Sequence, residues 1–156
     1  MPINKPADAK HKLNTLINNR WSPRAFDDRS VDNEILNSLF EAARWAASCN
    51  NSQPWRFIIA KKENSEEYAK ALSCFNENNQ KWVSTAPVIG FIGAYQLMLG
   101  DKKSRTYFYD TGMAMSQFTL QALEYDLYIH QAGGVLLDEI KIKYDVPDDV
   151  DIICGF

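Results

Sequence analysis

The apolar residues of this chain recur at helical spacing in some segments and form short continuous runs in others. Over 33–47 the residues Ile35, Leu36, Leu39 and Phe40 fall on one face of a helix, which predicts an amphipathic helix there. Further helices are predicted over 7–18, 64–76, 104–126 and 136–144.

Short runs rich in β-branched and aromatic residues predict strands over 56–60, 88–94 and 150–154. Residues 128–130 are predicted as a short strand or extended segment; residues 76–85 are polar, and 78–82 is expected to be a polar surface loop. Helices and strands mix without a strict βα alternation. The pattern therefore favours the α+β class, with a modest sheet surrounded by helices.

The bulk properties exclude several classes of protein. At 156 residues the chain is expected to form a single domain, and its net charge of −3 gives no support for nucleic-acid binding. No apolar run is long enough to span a bilayer, and no secretory signal is recognised at the start. Three cysteines without a CxxC motif indicate reduced thiols and a cytoplasmic protein. The two histidines are far apart and lack metal-ligand spacing, so no metal site is expected.

Two polar segments carry the chemistry. The first, Arg20-Trp21-Ser22-Pro23-Arg24, places two guanidinium groups and a hydroxyl within five residues, which suits an anion such as a phosphate. The alternative is a solvated basic loop. The second, 47–55, is dense in short amides and hydroxyls that can bind the polar edge of a planar ligand. Its alternative is a helix end followed by a turn. Together they point to a nucleotide-like cofactor.

These residues also carry a resemblance. Arg-x-Ser-x-Arg, then Ser-x-Asn-Asn-Ser-Gln-Pro-Trp, is similar to the FMN-dependent nitroreductase family. Three further segments agree in type and order: Tyr109-Asp110-Thr111-Gly112-Met113-Ala114 with Leu120-Gln121-Ala122, His130-Gln131-Ala132-Gly133-Gly134, and Tyr144-Asp145-Val146-Pro147. The resemblance covers 12–156. It implies a nitroreductase-like fold, with a central, mostly antiparallel sheet, and a homodimer that binds FMN at its interface.

The resemblance also assigns roles to individual residues. It implies that the 20–24 segment holds the FMN phosphate and ribityl chain, with Trp21 contributing only backbone. It implies that the 48–53 segment reaches the flavin from the partner subunit, with Cys49 as a small packed residue. Asn79, or alternatively Asn78, would contact the ring edge, and backbone at 132–134 would face flavin N5, although a Gly-Gly pair is also typical of a plain turn. The candidate cofactor-binding residues are Arg20, Trp21, Ser22, Arg24, Ser48, Cys49, Asn51, Gln53, Asn79, Ala132, Gly133 and Gly134.

The implied reaction is a ping-pong transfer of hydride from NADH or NADPH to FMN and on to a nitroaromatic, a quinone or a similar electrophile. The cofactor carries this chemistry, so no catalytic side chain is expected. Two alternatives stay open: a nonenzymatic flavin-binding dimer, and a reductase acting on flavin itself or on a C=C bond. The sequence departs from the family pattern at Ala47, where the family usually has Pro. It also lacks the family's usual C-terminal continuation, so we expect either a fragment of a longer protein or a short member with weakened phosphate binding.

Overall fold

A computed structural model describes residues 5–98, 100 and 102–156. Each helix and strand is labelled in chain order. The α-helices and strands are α1 (Thr15–Asn19), α2 (Asn33–Arg44), β1 (Trp55–Lys61), α3 (Ser65–Leu72), α4 (Glu77–Val83), β2 (Val88–Tyr95), β3 (Leu97–Met98), β4 (Lys102–Lys103), α5 (Tyr107–Leu123), α6 (Leu137–Lys143) and β5 (Val150–Gly155). A short 3₁₀ helix covers Cys49–Asn51.

The main sheet has the strand order β1-β2-β5, and both pairings are antiparallel. The β1–β2 register runs from Trp55 opposite Ala94 to Lys61 opposite Val88. The expected α+β class with a small antiparallel sheet is therefore confirmed.

Two hydrophobic clusters cover the two faces of this sheet. Successive side chains of a strand point to opposite faces, and accordingly Phe91 belongs to one cluster and Ile92 to the other. Phe91 packs with Phe75 and with residues of α3 and α6. Ile92 lies with Phe118 and other residues of α2 and α5. The sheet and the helices on its two faces thus form three layers, and these layers hold the connecting loops at fixed positions.

The structure corrects two predicted elements. The helix predicted over 7–18 begins only at Thr15, because the Asn14 side chain caps it by accepting a hydrogen bond from the Leu16 N–H at 2.9 Å. The surface loop predicted at 78–82 is wrong: these residues lie within α4, which is capped by Asn76, whose side chain accepts from the Asn79 N–H. The sequence of α4 does not predict a helix, because its apolar residues, Trp82 and Val83, lie only at its end.

Smaller differences lie elsewhere. Residues 128–130 belong to no strand, and the nearest pairing is a bridge between Ala132 and Gly155. The short β3–β4 pair was not predicted. Across the described ranges we find no helix with the length and apolar character needed to cross a bilayer.

Candidate cofactor site

The loop of residues 20–24 follows α1 directly and exposes both of its guanidinium groups. Arg20 ends α1, with its backbone N–H bonded to the Leu16 carbonyl, and its Nη1 lies 3.4 Å from the Ser22 hydroxyl oxygen. Among the residues described, no carboxylate forms an ion pair with Arg20 or Arg24. Both guanidinium groups can therefore bind an external anion without first breaking an internal pair.

This loop rests on the segment that precedes Gly133. The Nδ1 of His130 lies 2.7 Å from the Pro23 carbonyl oxygen, and the Trp21 ring packs 5.9 Å from the Tyr128 ring. The Trp21 ring therefore has a packing role, while its buried Nε1 has no hydrogen-bond partner among the described residues. The loop and the 128–130 segment are in this way joined as one unit.

His130 continues the connection to α4. Its ring stacks on Trp82 with the ring centroids 4.2 Å apart, and the Trp82 Nε1 donates to the Asn79 side-chain oxygen at 3.1 Å. The Asn79 Nδ2 then donates to the Gly134 carbonyl oxygen, also at 3.1 Å. Sequence reasoning assigned no part in this site to His130 or Trp82, because their role depends on contacts between distant segments.

Gly134 lies directly against two side-chain amides. Its carbonyl also accepts from the Asn76 N–H at 3.0 Å, and a Cβ at this position would collide with the Nδ2 atoms of Asn76 and Asn79. The close approach therefore requires glycine. A Cβ at Gly133 would instead meet open space. Asn76 was missed in the sequence, although its helix-capping position was a usable signal.

The structure thus brings together three of the four predicted groups, namely the 20–24 loop, Asn79 and the 132–134 turn. A chain of contacts through His130 and Trp82 joins them. The Ala132 side chain is buried, and its backbone pairs with Gly155 through two hydrogen bonds of 2.7 and 2.9 Å. The turn is therefore fixed to the end of β5.

The fourth group, Ser48–Gln53, makes its hydrogen bonds elsewhere. The Cys49 N–H donates to the Asp110 Oδ2 at 3.0 Å, and the Gln53 N–H donates to the Ser48 hydroxyl at 3.1 Å. The Gln53 side chain donates to the Asn51 Oδ1 at 3.2 Å. None of the hydrogen bonds among described residues connects this loop to the 20–24 loop or the 132–134 turn. A single copy therefore does not bring all four groups together through direct contacts.

The expectation for Cys49 is corrected. Its side chain is exposed, and it is the backbone N–H that is tied to the protein, because the carboxylate of Asp110 holds it. The other two cysteines differ from it. Burial raises the pKa of Cys154 to about 11 and, as the largest influence, raises that of Cys74.

A largely apolar cavity of about 250 Å³ lies behind the 20–24 loop. Its lining includes Trp21, Pro23, Trp82 and His130, together with residues of the 25–31 and 126–129 segments, of α2, β2 and α5, and Phe156. The cavity therefore shares lining residues with the contact chain described above. Within the described ranges, no group of three or more His, Cys, Asp or Glu side chains is placed to hold a metal ion.

Comparison with known proteins gives consistent results. Residues 17–156 match the model of the Nitroreductase family. A Streptococcus pyogenes protein named "Putative NAD(P)H nitroreductase Spy0809" is 38% identical over 66 residues, which is 42% of this chain and 32% of that protein. A Streptomyces coelicolor protein named "Putative NADH dehydrogenase/NAD(P)H nitroreductase SCO7141" is 31% identical over 87 residues, 56% of this chain and 41% of that one. The matched parts thus span about a third to two fifths of these relatives.

A solved structure, described as an oxidoreductase containing FMN, superimposes with a TM-score of 0.90 at 33% identity. The superposition covers 99% of this chain and 79% of the other. The family match extends over far more than half of the sequence and includes all four groups of the candidate site. This chain belongs to the nitroreductase family.

Proposed function

We propose that residues 1–156 form a single FMN-binding domain of an oxidoreductase that takes hydride from NADH or NADPH and reduces a nitroaromatic, a quinone or a similar electrophile. The observation that carries the proposal is that one contact chain joins the loop carrying two exposed guanidinium groups, through its Pro23 carbonyl, to the Asn79 amide and the glycine turn. A structural relative at 33% identity that contains FMN supports the choice of cofactor.

The residues fit the cofactor chemically. Arg20 and Arg24, with the Ser22 hydroxyl, would bind the phosphate, since guanidinium groups bind phosphate oxygens in pairs. The Asn79 amide would lie toward the ring edge. Ala132, Gly133 and Gly134 would present backbone close to N5, and the open space around Gly133 supports such an approach. When bound, FMN would supply the hydride acceptor and donor, while the protein binds and orients it.

The Ser48–Gln53 loop, with Cys49, would complete the site from a second copy of the chain. Exposed apolar side chains support a homodimer: Phe108, Tyr109 and Met113 of α5 are exposed, Tyr109 to 71%, and so is Trp45, which follows α2, to 72%. Exposed clusters of large apolar side chains mark interaction surfaces. The exposed surface of α5 adjoins the Ser48–Gln53 loop, because Asp110 of the same helix holds that loop.

A spectroscopic titration tests the proposal. The purified protein is titrated with FMN, and the complex is mixed without oxygen with NADH and with NADPH. We expect flavin absorption that bleaches with at least one nucleotide. The double variant Arg20→Gln/Arg24→Gln should weaken FMN binding about tenfold or more, since charge-assisted hydrogen bonds contribute about 1.5–3 kcal/mol each. The control is the double variant Lys141→Gln/Lys143→Gln, which also removes two positive charges but does so on α6, outside the 20–24 loop.

The outcomes separate the candidates. A protein that takes up no added FMN refutes the proposal. A protein that binds FMN but whose flavin is reduced by neither nucleotide supports the alternative of a nonenzymatic flavin-binding dimer. Equal weakening in the arginine and lysine variants would refute the role of the 20–24 loop.

A further inference from the structure

Asp110 is a buried carboxylate that none of the ion pairs among the described residues neutralises. It lies in the first turn of α5 and is only 3% exposed. Its Oδ2 accepts hydrogen bonds from the Cys49 N–H and the Thr106 hydroxyl, both at 3.0 Å. Burying a carboxylate is unfavourable unless hydrogen bonds stabilise it. The two hydrogen bonds therefore stabilise the buried carboxylate, and one of them joins it to Cys49, which lies 61 residues away in the sequence.

The loop that Asp110 contacts has an unfavourable backbone. Asn50, Asn51 and Gln53 have φ values of 52°, 55° and 46°. Asparagine tolerates the left-handed region, whereas glutamine rarely adopts it. The Ser52 hydroxyl is also buried with no partner among the described residues. Local backbone preference therefore does not explain this conformation at Gln53, and hydrogen bonds must hold the loop in it.

Several hydrogen bonds lie within the loop, among them those from the Asn51 N–H to the Ser48 carbonyl at 3.0 Å and from the Ser52 N–H to the Cys49 carbonyl at 3.1 Å. The Gln53 N–H donates to the Ser48 hydroxyl, which is a contact within the loop itself. The Cys49 N–H donates to Asp110, and this bond ties the loop to the helical layer. Loss of the bond to Asp110 would detach the loop from α5 and let it relax toward commoner backbone angles. The side chains of Asn51 and Gln53, which are themselves in the left-handed region, would then change direction.

We infer that Asp110 is a positioning residue, which holds the Ser48–Gln53 loop in its left-handed conformation and so aims Asn51 and Gln53 at the cofactor. The inference rests on the proposed function as far as the cofactor is concerned. Asp110 touches neither flavin nor substrate in this assignment and acts only through the loop. Holding the loop requires only a hydrogen-bond acceptor at this position, so the neutral side-chain oxygen of an asparagine should hold it equally well.

Three variants test the inference. Asp110→Ala removes the acceptor, and Asp110→Asn keeps an oxygen at the same place. Thr119→Ala is the matched control, because it removes another buried polar group of α5 whose hydrogen bond, 2.8 Å to the Met115 carbonyl, stays within the helix. FMN affinity is measured by fluorescence at a temperature where circular dichroism shows every variant to be folded. Exchange of the Cys49 amide hydrogen is measured by NMR without FMN.

We expect Asp110→Ala to weaken FMN binding about tenfold and to speed exchange at Cys49 by a similar factor. Asp110→Asn should restore both to within about threefold, and Thr119→Ala should change neither, although it lowers stability. Unchanged FMN affinity in Asp110→Ala, or an equal loss in Thr119→Ala, would overturn the inference.

The exchange measurement separates this inference from the proposed function. If the unaltered protein binds no FMN, the proposed function fails, but exchange still reports whether Asp110 holds the loop. If Asp110→Ala does not fold, the unaltered protein decides: a Cys49 amide that exchanges like an exposed amide would refute the anchoring, and a protected one supports it.

Discussion

The imidazole Nδ1 of His130 lies 2.7 Å from the carbonyl oxygen of Pro23. A carbonyl oxygen only accepts hydrogen bonds, so Nδ1 must carry the proton. The same ring stacks on Trp82. One side chain therefore connects the arginine-rich loop after α1 with α4 and with the glycine turn after residue 130, and the geometry of all three depends on it.

Replacement of His130 by Phe should weaken FMN binding. Phe keeps a flat ring against Trp82 but cannot donate to Pro23, so we expect an affinity loss of about fivefold, equivalent to one hydrogen bond of about 1 kcal/mol. Fluorescence titration with FMN measures it. His11→Phe is the control, since the second histidine lies exposed before α1. Equal affinity in the two variants would contradict the proposed connection.

The two neighbouring glycines should respond differently to alanine. Gly134→Ala forces the Asn76 and Asn79 amides apart, so we expect a loss of about 1–3 kcal/mol in the free energy of unfolding. Gly133→Ala meets open space and should change it by less than about 0.5 kcal/mol. Urea denaturation of both variants measures the difference. Similar values for the two would show that Gly134 is not closely packed.

Much of the fold could be predicted from the sequence, because α2 and α5 have helical apolar periodicity and β1 and β2 are short runs rich in β-branched and aromatic residues. The hidden element was α4, whose sequence Glu-Asn-Asn-Gln-Lys-Trp-Val carries no apolar face and is fixed by its cap and by two end residues. Of the site, the polar groups were visible as local motifs. The connecting residues were not, since Trp82 and His130 meet only after folding, and Asp110 meets Cys49 across 61 positions.

A charge placed on the exposed surface of α5 should prevent dimerisation. Tyr109→Glu puts a carboxylate where the second copy is proposed to dock, so we expect the dimer dissociation constant to rise about tenfold or more. Sedimentation velocity over a concentration series measures it. Ile142→Glu is the matched control, because Ile142 is equally exposed, at 74%, but lies on α6. An unaltered protein that stays monomeric at all concentrations would refute the proposed interface.

Stability should fall in alkaline solution partly because of Cys154. Burial raises the pKa of this thiol to about 11 in the folded protein, above its usual value of 9.0. The folded state therefore binds the proton more tightly, and this stabilisation is present below pH 9 and is lost as the pH rises toward 11.

Between pH 8 and pH 10.5 the unaltered protein should lose about 1–2 kcal/mol more unfolding free energy than Cys154→Val, which has no thiol to ionise. Urea denaturation at both pH values gives the comparison. The other groups whose pKa is raised, Cys74, Tyr107 and Tyr144, are common to both proteins and cancel. Equal losses would show that the Cys154 thiol is not shielded from water.

The exposure of Cys49 makes the unmodified chain suitable for labelling at one position. Thiol reagents attack the thiolate, and the raised pKa of Cys74 and Cys154 leaves these two almost entirely protonated at neutral pH. A maleimide spin label or fluorophore would then attach at residue 49 without any substitution elsewhere. Because the Ser48–Gln53 loop is proposed to enter the site of a second copy, dimerisation should cover this thiol, and the labelling rates of monomer and dimer would report directly whether the loop lies at the interface.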